Sequence, residues 1–398
     1  MKILMILEAN FPPDVRVEKE INTLINAGYE ITLLSASPNA ENSIFYWNKA
    51  KIIKHKMPRL IYKSSVAALK SNIYFNYWHK LISQTMKNEQ FSAIHLHDLP
   101  LAKIAAKFSK IYNIPFVLDL HENWADYMEI ATHTNTFLGK ILSSPAQWHR
   151  YEQEMCMKAD RIISVVKEMK ERIIRLGVDE NKIIVLPNSI SLTDQIDYIP
   201  SERFSDFSLF YGGGINIHRG LQIVLKAIKI VSEKIPNIKL NIVGDGSYKN
   251  ILENYVIENN LAKNIVFWGW KKYDEMVDIL IKSDVALIPH LRSVQTDNSS
   301  PNKLYQYAYF QKPIIASDCI SIKRILAEMN CGITYFHNDP NDLAEKILEL
   351  AENQEKLQQL AKNGFEAIQN KFNWEIDSLE LIQMYKNLLR DENESFIN

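Results

Sequence analysis

Hydrophobic and polar positions alternate along this chain in two periods, one typical of short buried strands and one typical of amphipathic helices. In the first half, six apolar runs predict strands: Lys2–Leu7, Glu30–Ser35, Ala93–His97, Pro115–Asp119, Arg161–Val165 and Lys182–Leu186. Helical patterns lie between them. One of these, Val15–Ala27, ends before Gly28, a residue that suits the position after a helix. The alternation indicates βαβ units and a parallel sheet.

The alternation of predicted strands and helices is interrupted at 188–206, a polar segment that contains Pro200, and resumes after it. Six further strands are predicted: Leu209–Tyr211, Lys239–Val243, Asn264–Trp268, Asp284–Ile288, Pro313–Ala316 and Gly332–Tyr335. Predicted helices include Gly220–Lys234, Asp274–Lys282 and the tail Asn341–Leu389, whose last helix begins near Trp374. We therefore predict two doubly wound α/β domains, at 1–195 and 206–373. A C-terminal helix, 374–398, is expected to pack back on the first domain.

Length and composition exclude several classes of protein. A chain of 398 residues suits about two domains, and 46% hydrophobic with 23% charged residues excludes wholesale disorder. A net charge of −1 argues against a protein that coats nucleic acid. Three cysteines without a C-x-x-C pair argue against a disulfide framework or a cysteine zinc site and fit a reducing compartment. The first apolar run ends at Glu8, and no run approaches the length of a spanning helix, so we expect a cytoplasmic protein.

The near-zero net charge conceals one long stretch, 42–88, that contains no Asp or Glu. It carries nine basic residues: Lys49, Lys51, Lys54, Lys56, Arg59, Lys63, Lys70, Lys80 and Lys87. Its part from Val66 to Lys87 is helical in period, and aromatic residues lie among the lysines: Tyr62, Tyr74, Phe75, Tyr77 and Trp78. One interpretation is a solvated basic edge. The interpretation that we favour is a patch that meets an anionic membrane surface, as an acceptor carried on a lipid would require.

Ligands of open parallel sheets bind beyond the carboxyl ends of the strands, so the segments after strands are candidate sites. Tyr211–Gly220 places glycines and Arg219 before a helix, where backbone N–H groups and a guanidinium can bind phosphate. In Asp297–Tyr307, Pro301 is predicted at the first helical position behind Ser299 or Ser300 as cap, with Lys303 in the first turn. Each segment could also be purely structural. Two anion sites in one domain favour a diphosphate ligand.

In the first domain, three of the histidines and one of the arginines are candidate site residues. His121 follows a strand, where its imidazole could donate to a hydroxyl or phosphate oxygen. His95 and His97 share one strand face, but a metal pair is disfavoured because no third ligand has a clear position. Asp14 is a plausible N-cap, and Arg16 in the first helical turn either has a function beyond stability or pairs with Glu20.

Together these segments resemble the family-four retaining glycosyltransferases of the GT-B fold, over nearly the whole chain. The resemblance rests on Asp14–Glu20 with Gly28, Asp119–Glu122, Ala159–Val165, Leu186–Asn188, Gly212–Gly220, Ile242–Gly246, Pro301–Gln306 and Pro313–Asp318. It implies two Rossmann-like domains that face each other across a cleft, with the donor mainly on the second and the acceptor on the first. The implied reaction moves a sugar from a nucleotide-diphosphate donor to an acceptor hydroxyl with retention, in the synthesis of bacterial surface polysaccharide or glycolipid.

The resemblance also implies roles for individual residues. His121, Arg219 and Lys303 match the catalytic positions, and no metal or other cofactor is expected, because positive side chains neutralise the leaving diphosphate. The leaving phosphate would help to deprotonate the acceptor, without a protein nucleophile. The donor-binding positions are Asn188, Gly213, Gly214, Gly244, His290, Ser299, Asn302, Leu304 and Gln306. The acceptor-side positions are Asp14, Arg16, His97 and Glu122.

The sequence departs from the family at one pair of positions. Two glutamates separated by seven intervening residues are usual at the end of the donor site, and here the matching residues are Asn298 and Gln306. Gln306 can hydrogen-bond to ribose hydroxyls but lacks the charge of glutamate. The departure keeps open a non-catalytic nucleotide- or sugar-binding protein, beside a nucleotide-sugar epimerase. A phosphorylase is disfavoured because the chain shows no motif for the lysine that binds pyridoxal phosphate. A nicotinamide dehydrogenase is disfavoured because neither domain has G-x-G-x-x-G after its first strand.

Overall fold

The computed structural model describes residues 1–130, 143–193 and 202–394, and they form two compact units. The first unit comprises residues 1–187 together with the chain from Asp377 onward, and the second comprises residues 188–376. Residues 194–201 of the predicted interruption, including Pro200, lie outside the described residues, as do residues 131–142. Within the described part, no helix is both long and apolar enough to cross a membrane.

An eight-stranded sheet forms the centre of the first unit. Its strands are β1 (Lys2–Leu7), β2 (Glu30–Ser37), β3 (Ser43–Trp47), β4 (Ala50–Lys56), β5 (Ala93–His97), β6 (Phe116–Leu120), β7 (Arg161–Ser164) and β8 (Ile183–Val185). They lie in the order β3-β4-β2-β1-β5-β6-β7-β8, and every pair is parallel except β3 with β4. The inner strands are buried without alternation, as expected for a parallel sheet with both faces covered. The six strands predicted in this half are confirmed.

The hairpin of β3 and β4 was not predicted. Its two-residue turn, Asn48 and Lys49, has φ values of 46° and 71°, the signs that a tight hairpin turn requires at both positions. The strand β3 alternates between half-buried and exposed positions, but its exposed side chains, Ile44 and Tyr46, are apolar. The usual polar half of the period-two pattern is therefore missing, which hid the strand.

Helices connect the strands of the first unit: Val15–Asn26, Arg59–Ser64, Ile73–Asn88, Ala102–Tyr112, Trp124–Ile130, Pro145–Lys158 and Lys167–Arg175. The helix predicted over Val66–Lys87 begins only at Ile73, because the polar residues 70–72 form a turn before it. Its aromatic residues Tyr74, Phe75 and Trp78 are buried in the core. They therefore do not belong to the exposed basic face, and of the five aromatic side chains named above only Tyr62 is largely exposed.

The last helix, Trp374–Glu394, carries the chain from the second unit into the first. Its Tyr385 is fully buried. The Tyr385 hydroxyl lies 2.8 Å from His95 Nδ1, and its ring lies 5.7 Å from that of Tyr29. The C-terminal helix thereby closes over the middle of the first sheet.

The second unit contains a six-stranded parallel sheet. Its strands are β9 (Ser208–Gly212), β10 (Lys239–Val243), β11 (Ile265–Gly269), β12 (Val285–Ile288), β13 (Ile314–Ser317) and β14 (Gly332–Tyr335). They lie in the order β11-β10-β9-β12-β13-β14. The helices are Leu221–Lys234, Lys249–Glu258, Tyr273–Lys282, Val294–Asp297, Asn302–Tyr309, Ile320–Met329, Pro340–Glu352 and Gln354–Asn370. All six predicted strands are confirmed, and the order β10-β9-β12 places the turns after β9 and β12 side by side.

Candidate active site

Two glycine turns meet at the carboxyl end of the second sheet. Gly213 follows β9 with a φ of 139°, and Gly244 follows β10 with a φ of 137°. A Cβ atom at Gly244 would lie 2.0 Å from the carbonyl oxygen of Gly213, and one at Gly213 would lie 2.7 Å from Lys303 Nζ. Only glycine fits at either position. The turns are open enough to let the lysine amine reach the backbone at the end of β9.

Two basic side chains, Arg219 and Lys303, lie close to His290 at this edge. The distance from Arg219 Nη1 to His290 Nε2 is 2.9 Å, and Lys303 Nζ lies 4.3 Å from the ring centroid of Tyr211. Burial, and then the Arg219 charge, hold the pKa of Lys303 well below its usual value. The pKa of His290 is lowered by the same causes. Within the described ranges neither cation forms an ion pair with a carboxylate, so the pair has positive charge to offer to an anion.

Gly220 explains how Arg219 reaches this position. Its φ is 74°, and a Cβ there would lie 1.7 Å from the carbonyl oxygen of Pro289. The turn at Ile217–Arg219 therefore packs directly against the segment after β12, where His290 lies. A larger residue at 220 would push the arginine away from the histidine.

The segment before the helix Asn302–Tyr309 differs from its prediction. Pro301 is the N-cap, not the first helical residue, and no side chain caps the helix. Ser300 instead donates from Oγ to the Tyr305 hydroxyl at 3.2 Å, and Ser299 donates to a carbonyl oxygen behind it. Backbone N–H groups at this helix end are thus left without a side-chain cap.

The remaining predicted donor residues have different surroundings. Asn188 donates from Nδ2 to the carbonyl oxygen of Ser300 at 3.1 Å. Asn298 is buried and donates to the carbonyl oxygen of Val294 at 2.7 Å, so its side chain closes the preceding short helix. The side chain of Leu304 is fully buried. Gln306 is half-buried, while Gly214 and Asn302 lie nearer the surface.

In the first unit, Arg16 is a buried guanidinium that joins three segments. It lies on the helix capped by Asp14, whose side chain accepts from the N–H of Val17 at 3.2 Å, as predicted. Its Nη2 lies 2.8 Å from Asp119 Oδ1, and its Nη1 donates to the carbonyl oxygen of Leu186 at 3.0 Å. Its Nε also lies 3.0 Å from Glu20 Oε1. The predicted pairing of Arg16 with Glu20 is therefore present, and a function of Arg16 beyond stability stays a prediction.

His121 is held between two carboxyl groups. Its Nε2 lies 2.8 Å from Asp119 Oδ2, and its Nδ1 lies 3.7 Å from Asp98 Oδ2. Burial opposes a charge on the imidazole, but Asp119 and then Asp98 outweigh it and raise the pKa of His121 to about 9. The neighbouring His97, 3.1 Å from His121 Nε2, behaves oppositely, because burial and His95 lower its pKa to about 3. At neutral pH the site presents one imidazolium beside one neutral imidazole.

Sequence reasoning missed the carboxylates that surround His95 and His97. Glu20 and Asp119 lie with these two histidines so that one donor atom from each is within 4.8 Å of the others, a set that could hold a metal ion. Arg16 contacts both carboxylates and supplies positive charge there. Long-range packing creates the group, since Glu20 and Asp119 are distant in sequence.

A cavity of about 310 Å³ opens at the carboxyl end of the first sheet. Three of the predicted acceptor-side residues line it, namely Asp14, His97 and Glu122, and so does His121. Glu8 also lines it, although sequence reasoning used this residue only to mark the end of an apolar run. Its position directly after β1 was the available signal, since side chains after neighbouring parallel strands converge at one edge.

Comparison with known proteins identifies the family to which this chain belongs. Residues 15–194 match the family described as Glycosyltransferase Family 4, and residues 200–367 match Glycosyl transferases group 1. The chain is a group 1 glycosyltransferase of the family-four type. Over 341 residues this glycosyltransferase is 26% identical to the uncharacterized glycosyltransferase MJ1178 of Methanocaldococcus jannaschii, covering 85% of each chain.

Solved structures agree with this family. The sucrose-phosphate synthase of Thermosynechococcus elongatus aligns with a TM-score of 0.75 at 16% identity, covering 98% of this chain and 99% of the other. Anabaena Alr3699/HepE, solved in complex with UDP, aligns with a TM-score of 0.71 at 13% identity, over 97% of this chain and 100% of the other. The glycosyltransferase therefore has the GT-B fold, with two parallel-sheet domains.

Proposed function

We propose that this glycosyltransferase moves a sugar from a nucleotide-diphosphate donor to an acceptor hydroxyl with retention, without a metal or other cofactor. The observation that carries the proposal is the pair of cations Arg219 and Lys303, placed at two glycine turns without a carboxylate partner among the described residues. Both side chains are half-buried, and holding two basic groups close together without a counter-ion is unfavourable, so such a pair is expected where a ligand supplies the negative charge. A diphosphate is the matching anion, and the UDP complex of the HepE neighbour supports it.

In this proposal the two cations act on the leaving group. When the bond from the sugar to the diphosphate breaks, negative charge develops on the phosphate oxygens. Arg219 and Lys303 stabilise that charge more strongly in the transition state than in the bound donor. The phosphate oxygen in turn takes the proton of the acceptor hydroxyl as the new glycosidic bond forms on the same face, so no protein nucleophile is required.

His121 supports the same chemistry from the first unit. Its raised pKa, about 9, keeps the imidazole protonated at neutral pH, so that it can donate to the donor sugar or its phosphate. Asp119 fixes the ring through Nε2 at 2.8 Å, whereas Nδ1 lies 3.7 Å from Asp98 Oδ2, beyond hydrogen-bond distance, so the Nδ1 N–H can donate to a ligand. A cation held in this way needs little reorganisation when charge develops.

The experiment is a panel of UDP-, GDP- and ADP-sugars with the purified protein, followed by donor hydrolysis or transfer and by calorimetric binding of the nucleotides. Binding together with turnover supports the transferase, and the anomeric configuration of the product, read by NMR, tests retention. Nucleotide binding without turnover would favour the non-catalytic binding protein that Asn298 and Gln306 keep open. Conversion of the donor sugar without acceptor would favour an epimerase. Absence of both binding and turnover would reject the proposal.

We propose further that the enzyme works at an anionic membrane surface, on an acceptor of surface polysaccharide or glycolipid synthesis. The acid-free stretch 42–88 presents its lysines beside apolar side chains that face solvent: Ile44, Tyr46, Leu60, Tyr62 and Ile73. Leu60 is 82% exposed, and the helix Arg59–Ser64 buries none of its residues. A helix that packs so little against its own protein and carries Arg59 and Lys63 is suited to lie in a lipid interface.

A further inference from the structure

The cavity of the first unit has a chemical character that the membrane-facing stretch does not share. Four carboxyl groups line it, from Glu8, Asp14, Asp98 and Glu122. Among its described lining residues there is neither lysine nor arginine, and His121 is the one imidazole with a raised pKa. The cavity is therefore negative, although it lies in the unit that carries the basic stretch.

Aromatic rings complete the lining. The lining includes Trp124, Tyr127 and Trp148, together with Tyr62 of the exposed helix Arg59–Ser64 and Val66 shortly after it. Trp124 and Trp148 are 6.1 Å apart, centroid to centroid, and tilted by 60°. Aromatic surface together with a few converging polar groups is typical of small-molecule sites. Rings suit the apolar face of a pyranose, and carboxylates accept from its hydroxyl groups.

Glu8 differs from the other carboxyl groups. Asp14 caps a helix through the N–H of Val17, and Asp98 accepts from the backbone N–H of His121 at 3.1 Å. Those two carboxyl groups already accept hydrogen bonds from the backbone. Glu8 stands at the end of β1, half-buried, with no ion-pair partner within the described chain. Burial raises the pKa of this carboxyl to about 7, while Tyr74 opposes the rise. A carboxyl kept at the edge of a cavity without a cation is available to a ligand hydroxyl.

We propose that this cavity selects an uncharged sugar as the acceptor and rejects acidic sugars, with Glu8 as the residue that holds an acceptor hydroxyl and sets this specificity. The proposal rests on the proposed function in naming the ligand as the acceptor. An acidic sugar would bring a carboxylate among four carboxyl groups, and like charges in a partly buried site repel strongly. A neutral sugar exchanges its water hydrogen bonds for those of Glu8 and its neighbours at no such cost.

The test uses matched p-nitrophenyl glycosides that differ only at C6. The β-glucoside is compared with the β-glucuronide, and the β-galactoside with the β-galacturonide, by ligand-observed NMR titration of the full-length protein without donor. We expect at least one neutral glycoside to bind about tenfold or more tightly than its acidic counterpart. Equal binding of both members of each pair, or binding of none of the four, would overturn the proposal.

Glu8→Gln provides the second arm. Above about pH 8, where the Glu8 carboxyl is mostly ionised, the amide keeps the shape but removes the charge, so this variant should bind the neutral glycoside several-fold more weakly and discriminate less against the glucuronide. A merely structural residue would not change the ratio between the two ligands, so an unchanged ratio would contradict the role of Glu8. UDP binding is measured in the same samples. If UDP fails to bind while the glycosides are still discriminated, the proposed donor chemistry is wrong and the acceptor selectivity stands.

Discussion

Arg16 and Asp119 form a two-point ion pair inside the first unit, 103 residues apart in sequence. Arg16 Nη2 lies 2.8 Å from Asp119 Oδ1, and Arg16 Nε lies 3.3 Å from Asp119 Oδ2. Burial disfavours the Asp119 carboxylate, but Arg16 and then His121 outweigh it and hold the pKa of Asp119 well below its usual range. The pair therefore fixes the carboxylate that orients His121, and links the packing of the first helix to the candidate active site.

Replacing Arg16 should be far more costly than replacing its other partner, Glu20. Arg16→Met removes the guanidinium from the buried Asp119 and leaves His121 as its remaining cationic neighbour, and we expect a loss of about 3 kcal/mol in the free energy of unfolding. Burial, and then Asp119, raise the pKa of Glu20 well above its usual value, so ionising this carboxyl is costly in the folded protein. Glu20→Gln should therefore change the stability at pH 7 by less than about 1 kcal/mol. Urea denaturation measures both, and equal losses would mean that Glu20 is ionised.

Asp98→Asn should shift the titration of His121 to lower pH. Asp98 helps to raise the pKa of His121 to about 9, so the amide removes part of that rise. The stability that a raised histidine pKa contributes is complete below the unfolded value of about 6.5 and is lost as the pH rises through about 9. The variant should lose it earlier, together with donor turnover on the alkaline side. Asparagine also tolerates the φ of 67° at this position and can still accept from the N–H of His121.

The measurement is an NMR titration of the His121 ring protons, paired with a pH profile of donor hydrolysis. His121→Gln identifies the resonance. If the pKa in Asp98→Asn equals that of the unchanged protein, the pairing of Asp98 with His121 has no electrostatic effect, and this account of His121 fails.

The Lys303→Met variant should bind nucleotide more weakly than the unchanged protein and yet be more stable to unfolding. Because burial and Arg219 hold the pKa of Lys303 well below its usual value, carrying the ammonium charge in the folded protein costs stability. Methionine removes that cost, and we expect a melting temperature about 2 °C or more higher at pH 7. Loss of a charged contact to phosphate should weaken nucleotide diphosphate binding about tenfold or more.

Lys312 supplies the matched control. It is also buried, and its pKa is lowered to about 8, chiefly by burial. Its Nζ, however, donates to the carbonyl oxygens of Ile281 and Ser283 at 2.6 and 2.7 Å. Lys312→Met should therefore destabilise the protein and leave nucleotide affinity unchanged. The opposite pattern in the two variants would contradict the assignment of Lys303 to the ligand.

The strands and most helices were predictable because burial determines which of their positions are apolar: a continuous run in a strand covered on both faces, and one face of an amphipathic helix. The run Lys2–Leu7, for example, is covered on both faces, so nearly every position is apolar. The hairpin at 43–56 escaped because its exposed face carries Ile44 and Tyr46. The start of the helix Ile73–Asn88 was misplaced because apolar residues before the turn continued the helical period.

The candidate sites were predictable only in part, for a different reason. Residues directly after strands, such as His121 and the glycine turn at Gly213, could be identified because position after a strand fixes their edge of the sheet. The partners that set their chemistry come from distant segments. Examples are Asp98 beside His121, 23 residues away, and His290 beside Arg219, 71 residues away. Such partners are brought together by tertiary packing, so they cannot be predicted from the local pattern of apolar and polar residues.

Leu60→Asp should weaken binding to anionic vesicles. The side chain is 82% exposed in the helix Arg59–Ser64, so the substitution removes an apolar anchor and adds a negative charge to an acid-free surface without opening the core. Partial burial of a leucine in lipid and one added repulsion each contribute about 1 kcal/mol, so co-sedimentation with phosphatidylglycerol vesicles should fall about tenfold or more. Ile257→Asp is the control, because Ile257 is 70% exposed but lies in the second unit, outside the basic stretch. Equal sedimentation of both variants, or binding of the unchanged protein that ignores salt and lipid charge, would show that 42–88 is only a solvated basic edge.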